Sequence, residues 1–168
     1  DMRADKEQGR RATYAKHLAE KMARKGYTFQ EAYDKMYERN YFGMMMVERG
    51  DADAFITGLY TKYSNTIKVA TEVVGVREGY HTFGTMHIVN SKKVTFYIAD
   101  TLINRHPDNN YLVDIARLSA NTVEFFNEKP VMAMISYSNF GTDEIGSPLK
   151  VHEAVEELHA NYPNLIVD

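Results

Sequence analysis

Apolar positions along the first quarter of the chain fall at helical spacing. Tyr14, Leu18 and Met22 recur every fourth residue, and Arg24-Lys25-Gly26 closes that stretch as a helix C-terminus should. Thr28 and Glu31 have the spacing of a capping box, with Tyr27 placed as its hydrophobic staple. Phe29, Tyr33, Met36 and Tyr37 then give the stripe of a second helix, and Asn40–Arg49 reads as a third that ends at Gly50. After Asp51 the period changes. Ala52–Leu59 reads as a buried strand, and Ser64 or Asn65 can cap a helix reaching Val74. Phe83–Val89 and Val94–Ala99 flank the polar turn Asn90–Lys93, which predicts a β-hairpin. Tyr111–Phe126 is an amphipathic helix, Val131–Ser136 a strand, and Ser147-Pro148 opens a last helix with Val151, Ala154, Val155 and Leu158 inward. Strands alternating with helices predict a three-layer α/β/α domain with a mostly parallel sheet and one antiparallel hairpin. No repeat or linker divides residues 1–168, so a single domain is expected.

Composition narrows the classes. Apolar residues make up 44% of the 168 positions and charged ones 26%, enough for a packed core. Lys plus Arg is 20 and Asp plus Glu 23, a formal charge of −3 that argues against a nucleic-acid or polybasic membrane binder. The absence of cysteine removes disulfides, thiolate zinc sites and cysteine nucleophiles together. No apolar run approaches the roughly 20 residues of a membrane span, and the charged opening Asp1–Arg11 is no signal peptide. A cytoplasmic globular module is expected. The chain opens without Met and stops on the apolar segment Leu165–Asp168, which suggests an excised part of a longer protein.

Three loops carry candidate chemistry, and each follows a predicted strand, where open α/β sheets collect ligands. The loop holding Ser136, Ser138, Asn139, Gly141 and Thr142 runs into the Ser147-Pro148 helix start and suits an anion, through free amides and the positive helix end. Gly141 and Gly146 have P-loop spacing, but Ser147-Pro148 stands where the Lys-Ser/Thr pair is required, so it is no Walker A. The second loop, Thr61–Thr66, leads to Lys68 one turn into its helix. The third is Asp100–Asn104. Together these predict the 58–68, 100–107 and 136–147 loops on one rim of the sheet. Metal signals are weak: Asp51-Ala52-Asp53 reads as a turn, Glu156 and His159 form a single helical pair, and the histidines show no ligand spacing. No dinucleotide fingerprint and no nucleophile elbow is present.

The segments Asn40–Ala54, Asp100–Asn104 and Ile135–Gly141 resemble the phosphate acetyl/butyryltransferase family. More closely, they are similar to the phosphotransacetylase-like C-terminal domain of large bacterial NADP-dependent malic enzymes. Arg24-Lys25-Gly26, the Asn-Tyr-Phe-Gly phrase at 40–43 and the ending Tyr162–Asp168 favour the malic-enzyme branch. The resemblance implies an isocitrate/isopropylmalate dehydrogenase-like fold and a ligand site built from Thr66, Lys68, Asp100, Asn104, Ser136, Ser138, Asn139, Gly141 and Thr142. That site would take acetyl-CoA or a related phosphorylated molecule, with no catalytic residue and no metal of its own. NADP and Mg or Mn would belong to a malic domain outside this chain. The partners implied are that domain and further copies of the chain, dimer or higher. Two departures bear on activity. Lys68-Val69 stands where transacetylases carry Arg-Pro, losing the bidentate fork. The Ser-Arg segment they carry near the C-terminus lies beyond Asp168. The expectation is a non-catalytic regulatory and oligomerisation region. The alternative is part of a working phosphate acetyltransferase, in which a CoA thiolate attacks acetyl phosphate.

Overall fold

The structure, a computed structural model, describes residues 5–139 and 142–168. The chain forms two compact units, residues 1–75 and 76–168. Six α-helices and four short strands are present among the described residues.

The first unit is helical. It contains α1 (Gln8–Lys21), α2 (Phe29–Lys35), α3 (Arg39–Glu48) and α4 (Tyr63–Val73). The stripe expected on α1 is buried: Tyr14 and Leu18 join Met36, Met45, Val69 and Val73 in one core. The Tyr14 and Phe42 rings lie 5.3 Å apart within it. Gly26 takes the left-handed conformation at φ +80° that ends the turn after α1. The expected capping box is formed: Thr28 Oγ1 accepts from Glu31 N at 3.2 Å, and Thr28 N donates to Glu31 Oε2 at 2.8 Å. Lys21 joins three helices, its Nζ donating to the Val73 carbonyl at 2.6 Å, the Val74 carbonyl at 2.9 Å and Glu48 Oε1 at 2.7 Å. A cation on the last carbonyls of α4 also meets the negative end of that helix.

The strand expected over Ala52–Leu59 does not form; the segment is irregular. Ile56 and Leu59 are 96% and 83% exposed, so the apolar run buries little. Phe55 holds it instead, its ring lying where a side chain on Gly43 would be, a close approach that only glycine permits.

The second unit carries the sheets. β1 (Met86–Asn90) and β2 (Thr95–Ala99) form the expected antiparallel hairpin, with Ile88 opposite Tyr97. α5 (Asn109–Phe125) starts on the Asp108 side chain, which accepts from Tyr111 N at 3.0 Å. β3 (Val131–Met132) pairs in parallel with β4 (Ile166–Val167), and α6 (Gly146–Asn161) connects them. Val113 and Ala116 of α5 pack with Ala154 and Leu158 of α6 and Val167 of β4. The class is α/β, helices with small sheets. Two separate two-stranded sheets stand in place of one larger, mostly parallel sheet among the described residues. The parallel element is shorter than Val131–Ser136, although Met134 N still donates to the Asp168 carbonyl at 2.7 Å. No helix among the described residues is long and apolar enough to cross a membrane.

Candidate functional site

The candidate residues fall into three groups, one in the first unit and two in the second. The 58–68 loop belongs to the first unit and follows no strand, so its premise for lying on a sheet rim is gone.

In the first unit, Thr66 ends a chain of hydroxyls built on Asn40. Asn40, in the first turn of α3, is 2% exposed. Its side-chain oxygen accepts from Thr57 Oγ1 at 2.7 Å, and its Nδ2 donates to Thr61 Oγ1 at 3.3 Å. Thr61 and Thr66 then share a hydrogen bond of 3.1 Å. These contacts satisfy a buried amide and fix the irregular segment against two helices. Lys68, two residues further along α4, is 65% exposed, and its Nζ lies 3.9 Å from Glu72 Oε1.

Glu72 is buried and accepts from Tyr27 OH at 3.0 Å and from Tyr41 OH. Lys35 donates to Tyr41 OH at 3.1 Å and lies over the Tyr27 and Tyr41 rings. Burial opposes the charge on Glu72, but the phenol hydrogen bonds and the two lysines outweigh it and hold the carboxyl below the usual range. Burial and the same hydrogen bond push the Tyr41 phenol well above its ordinary value. Lys68 is therefore an exposed cation on a rigid base.

Asp100 and Asn104, in the second unit, are engaged with their own loop. Asp100 Oδ1 accepts from Thr85 N at 3.1 Å and Thr85 Oγ1 at 2.7 Å; Oδ2 accepts from Asn104 N at 2.9 Å and Asn104 Nδ2 at 2.6 Å. Asn104 Nδ2 also donates to the Phe83 carbonyl at 3.1 Å, and its oxygen accepts from Thr82 Oγ1 at 3.1 Å. Burial works against ionisation of Asp100, yet the Thr85 and Asn104 donors prevail and lower its pKa. With four hydrogen bonds on the Asp100 carboxylate and Asn104 tied to both Asp100 and Phe83, this pair shapes the loop after β2 and offers few open contacts.

The third group surrounds a cavity of about 400 Å³ beside the start of α6, lined by Ser136, Ser138, Asn139, Pro148, His152 and Asp168 among others. Ser138 Oγ accepts from Asp143 N at 3.1 Å and lies 3.0 Å from Thr142 Oγ1; Ser136 Oγ donates to Ser147 Oγ at 3.3 Å. Gly141 lies outside the described residues. α6 has no side-chain cap, so its first amides are not taken by the preceding residue. Hydroxyls, an amide and a helix N-terminus can hydrogen-bond an oxyanion here. Among the described residues no lysine or arginine lines the cavity, and His152 is its one basic group.

Sequence reasoning passed over Asn40 and His152. The signal for Asn40 was a lone amide opening an otherwise apolar helix. For His152 it was the spacing of Pro148, Val151, His152 and Val155, a second stripe beside the inward Ala154 and Leu158.

Residues 2–168 match the family described as phosphate acetyl/butaryl transferase. The chain is 35% identical over 148 residues to the NADP-dependent malic enzyme of Escherichia coli (strain K12), covering 88% of this chain and 20% of that protein. It is 32% identical over 141 residues to the phosphate acetyltransferase of Bacillus subtilis (strain 168), covering 84% of this chain and 44% of that protein. A phosphotransacetylase from Streptococcus pyogenes superposes with a TM-score of 0.83 at 26% identity, over 93% of this chain and 48% of that one. The chain thus spans a fifth of one kind of relative and less than half of the other.

Proposed function

The chain belongs to the phosphate acetyl/butaryl transferase family, and we propose that it is the phosphotransacetylase-like regulatory and oligomerisation region of an NADP-dependent malic enzyme. Regions of this kind occur in both malic enzymes and phosphate acetyltransferases. In this reading the chain binds acetyl-CoA or a related phosphorylated ligand and is itself non-catalytic. It works in the cytoplasm within a homo-oligomer. Oxidative decarboxylation of malate, with NADP and Mg or Mn, belongs to a part of the protein outside this chain.

Lys68 is the observation that carries the ligand reading. Its side chain is 65% exposed, and its one carboxylate neighbour among the described residues stands at the far limit of ion pairing, so the charge remains open to an anion. Thr66 precedes it on the same helix, its hydroxyl hydrogen-bonded to Thr61 just before the helix starts. Lysine meets a phosphate as a point charge, without the bidentate geometry of arginine. One such charge-assisted contact is worth about 1.5–3 kcal/mol, enough to sense a ligand but not to catalyse its transfer.

The test uses the protein that carries this chain. Lys68→Ala is expected to leave basal turnover with malate and NADP unchanged and to weaken the response to added acetyl-CoA about tenfold or more, as loss of about 1.4 kcal/mol would. Basal loss with an intact acetyl-CoA response would overturn the role given to Lys68. Acetyl phosphate formation from acetyl-CoA and phosphate would establish the transacetylase reading instead.

A further inference from the structure

The segment preceding β1 sets an exposed imidazole on a buried carboxylate, a pair with no part in the reading above. Asp114, on α5, is 2% exposed. Its Oδ2 accepts from the backbone N–H of His81 at 2.5 Å and lies 3.1 Å from His81 Nδ1; its Oδ1 accepts from Arg117 Nη1 at 3.3 Å. Arg117 is stacked between the rings of Tyr80 and Tyr162, at 4.4 and 4.7 Å. Tyr80 is held in turn by Asn121 Nδ2, 3.1 Å from its hydroxyl. The carboxylate is thus immobilised, and it immobilises the ring.

The tautomer follows from this geometry. An oxygen that already takes the His81 backbone N–H, on a carboxylate that also faces a guanidinium, is placed to accept from the imidazole. In the neutral ring the proton then sits on Nδ1, which leaves the Nε2 lone pair on the opposite side of the ring. The His81 side chain is 66% exposed, so that lone pair is within reach of solutes. A neutral imidazole with an oriented Nδ1–H and a free Nε2 is a nucleophile activated for covalent chemistry. The other five histidines lack this arrangement among the described residues. His152 pairs with Glu156, itself 68% exposed; His17 stands 3.9 Å from Glu48; His87 meets the Thr101 hydroxyl; His159 spends Nε2 on the Val167 carbonyl.

We propose that His81 Nε2 is a phosphoryl-acceptor site, modified by small acyl phosphates. The Nε2 lone pair attacks phosphorus, a P–N bond forms, and the P–O bond to the acyl carboxylate breaks. The carboxylate leaves with that electron pair. No proton has to move, because the ring keeps its Nδ1–H, and the positive charge it gains is met by Asp114. Arg117 offsets the charge of Asp114, so an anionic donor is not repelled at approach. The choice of acyl phosphate as donor rests on the family reading; the nucleophilicity of His81 does not.

The experiment treats the whole protein separately with acetyl phosphate and with phosphoramidate, a donor unrelated to the family's chemistry. Phosphate is then mapped by peptide mass spectrometry under alkaline conditions. Both donors are expected to add one acid-labile, base-stable phosphoryl group on His81, absent in His81→Asn. Asp114→Asn is expected to slow labelling about tenfold or more, the scale on which partners that orient a histidine act. Should that variant not fold, the distribution in the unaltered protein decides: His81 labelled well ahead of the exposed His106 and His152 supports the site. Equal labelling of the three overturns it, as does an unchanged rate in a folded Asp114→Asn. Labelling by phosphoramidate alone overturns the acyl-phosphate donor. Neither result depends on the malate and acetyl-CoA assay, so failure here is separable from failure of the proposed function.

Discussion

Glu72 shows how this chain buries a charge with no close salt bridge: two phenols and two ammonium groups, the nearer ion pair at 3.9 Å, share the task. Its carboxyl titrates below the ordinary 4.5 when folded, so folding favours the ionised form. The stability this supplies is complete above the unfolded value and is lost as pH falls through the folded one. Glu72→Gln keeps the shape and removes the charge. It is expected to lower stability at pH 7 by about 1.5–3 kcal/mol, the scale of hydrogen bonds to a charged group, with the gap closing as pH falls below about 4.5. Urea midpoints of both proteins against pH would show this, and parallel curves through the acid limb would refute it. Nothing local in the sequence announces the cluster, because Tyr41 and Glu72 stand 31 residues apart. Lys68 and Thr66 were legible as candidates because charge and hydroxyls sit within one helical turn. Asn40 was not, since its partners arrive from 17 and 21 residues downstream.

Local chemistry explains which elements could be read. The Thr28 box depends on residues three apart, and it formed as spelled. Thr28→Ala is expected to cost about 1 kcal/mol, the usual loss for such a cap, and to fray the seven-residue α2 first. Hydrogen exchange at the amides of residues 29–31 should quicken ahead of the rest of the first unit; unchanged exchange there would contradict the cap's role. The hairpin and the α5 and α6 helices were equally legible, from two apolar runs flanking the polar turn 90–93 or from a one-sided stripe. The strand over Ala52–Leu59 was misread because an apolar run has the same appearance whether a neighbouring strand covers it or not. Here side-chain hydrogen bonds from Thr57 and Thr61 to Asn40, and the Phe55 ring on Gly43, hold the segment without a ladder. Strand length was overread at Val131–Ser136 for the same reason: pairing is decided by the partner, and only Ile166 and Val167 are in register.

On the scale of the molecule, each unit has a core of its own and leaves large apolar side chains in water. In the first unit Ile56, Leu59 and Tyr60 are 96%, 83% and 76% exposed. In the second, Ile135, Phe125 and Val131 are 87%, 80% and 71% exposed. Scattered exposed apolar residues are ordinary, but runs of neighbours exposed this far mark surfaces that other protein covers. The matched relatives are about two to five times longer than the stretch this chain spans, so they have further chain with which to do so. Expressed as these 168 residues, the chain is expected to cover that surface with a copy of itself, since twofold pairing is the commonest closure. Light scattering is expected to report a dimer at high micromolar concentration. Two double variants locate the contact: Ile56→Ser with Leu59→Ser, and Val131→Ser with Ile135→Ser. Whichever pair lies at the contact should shift the protein toward monomer, because each change replaces apolar burial worth about 25 cal/mol per Å² with a hydroxyl. A clean monomer in the unaltered chain would remove the oligomerisation part of the proposed function, while leaving the assignment of Lys68 to its own assay.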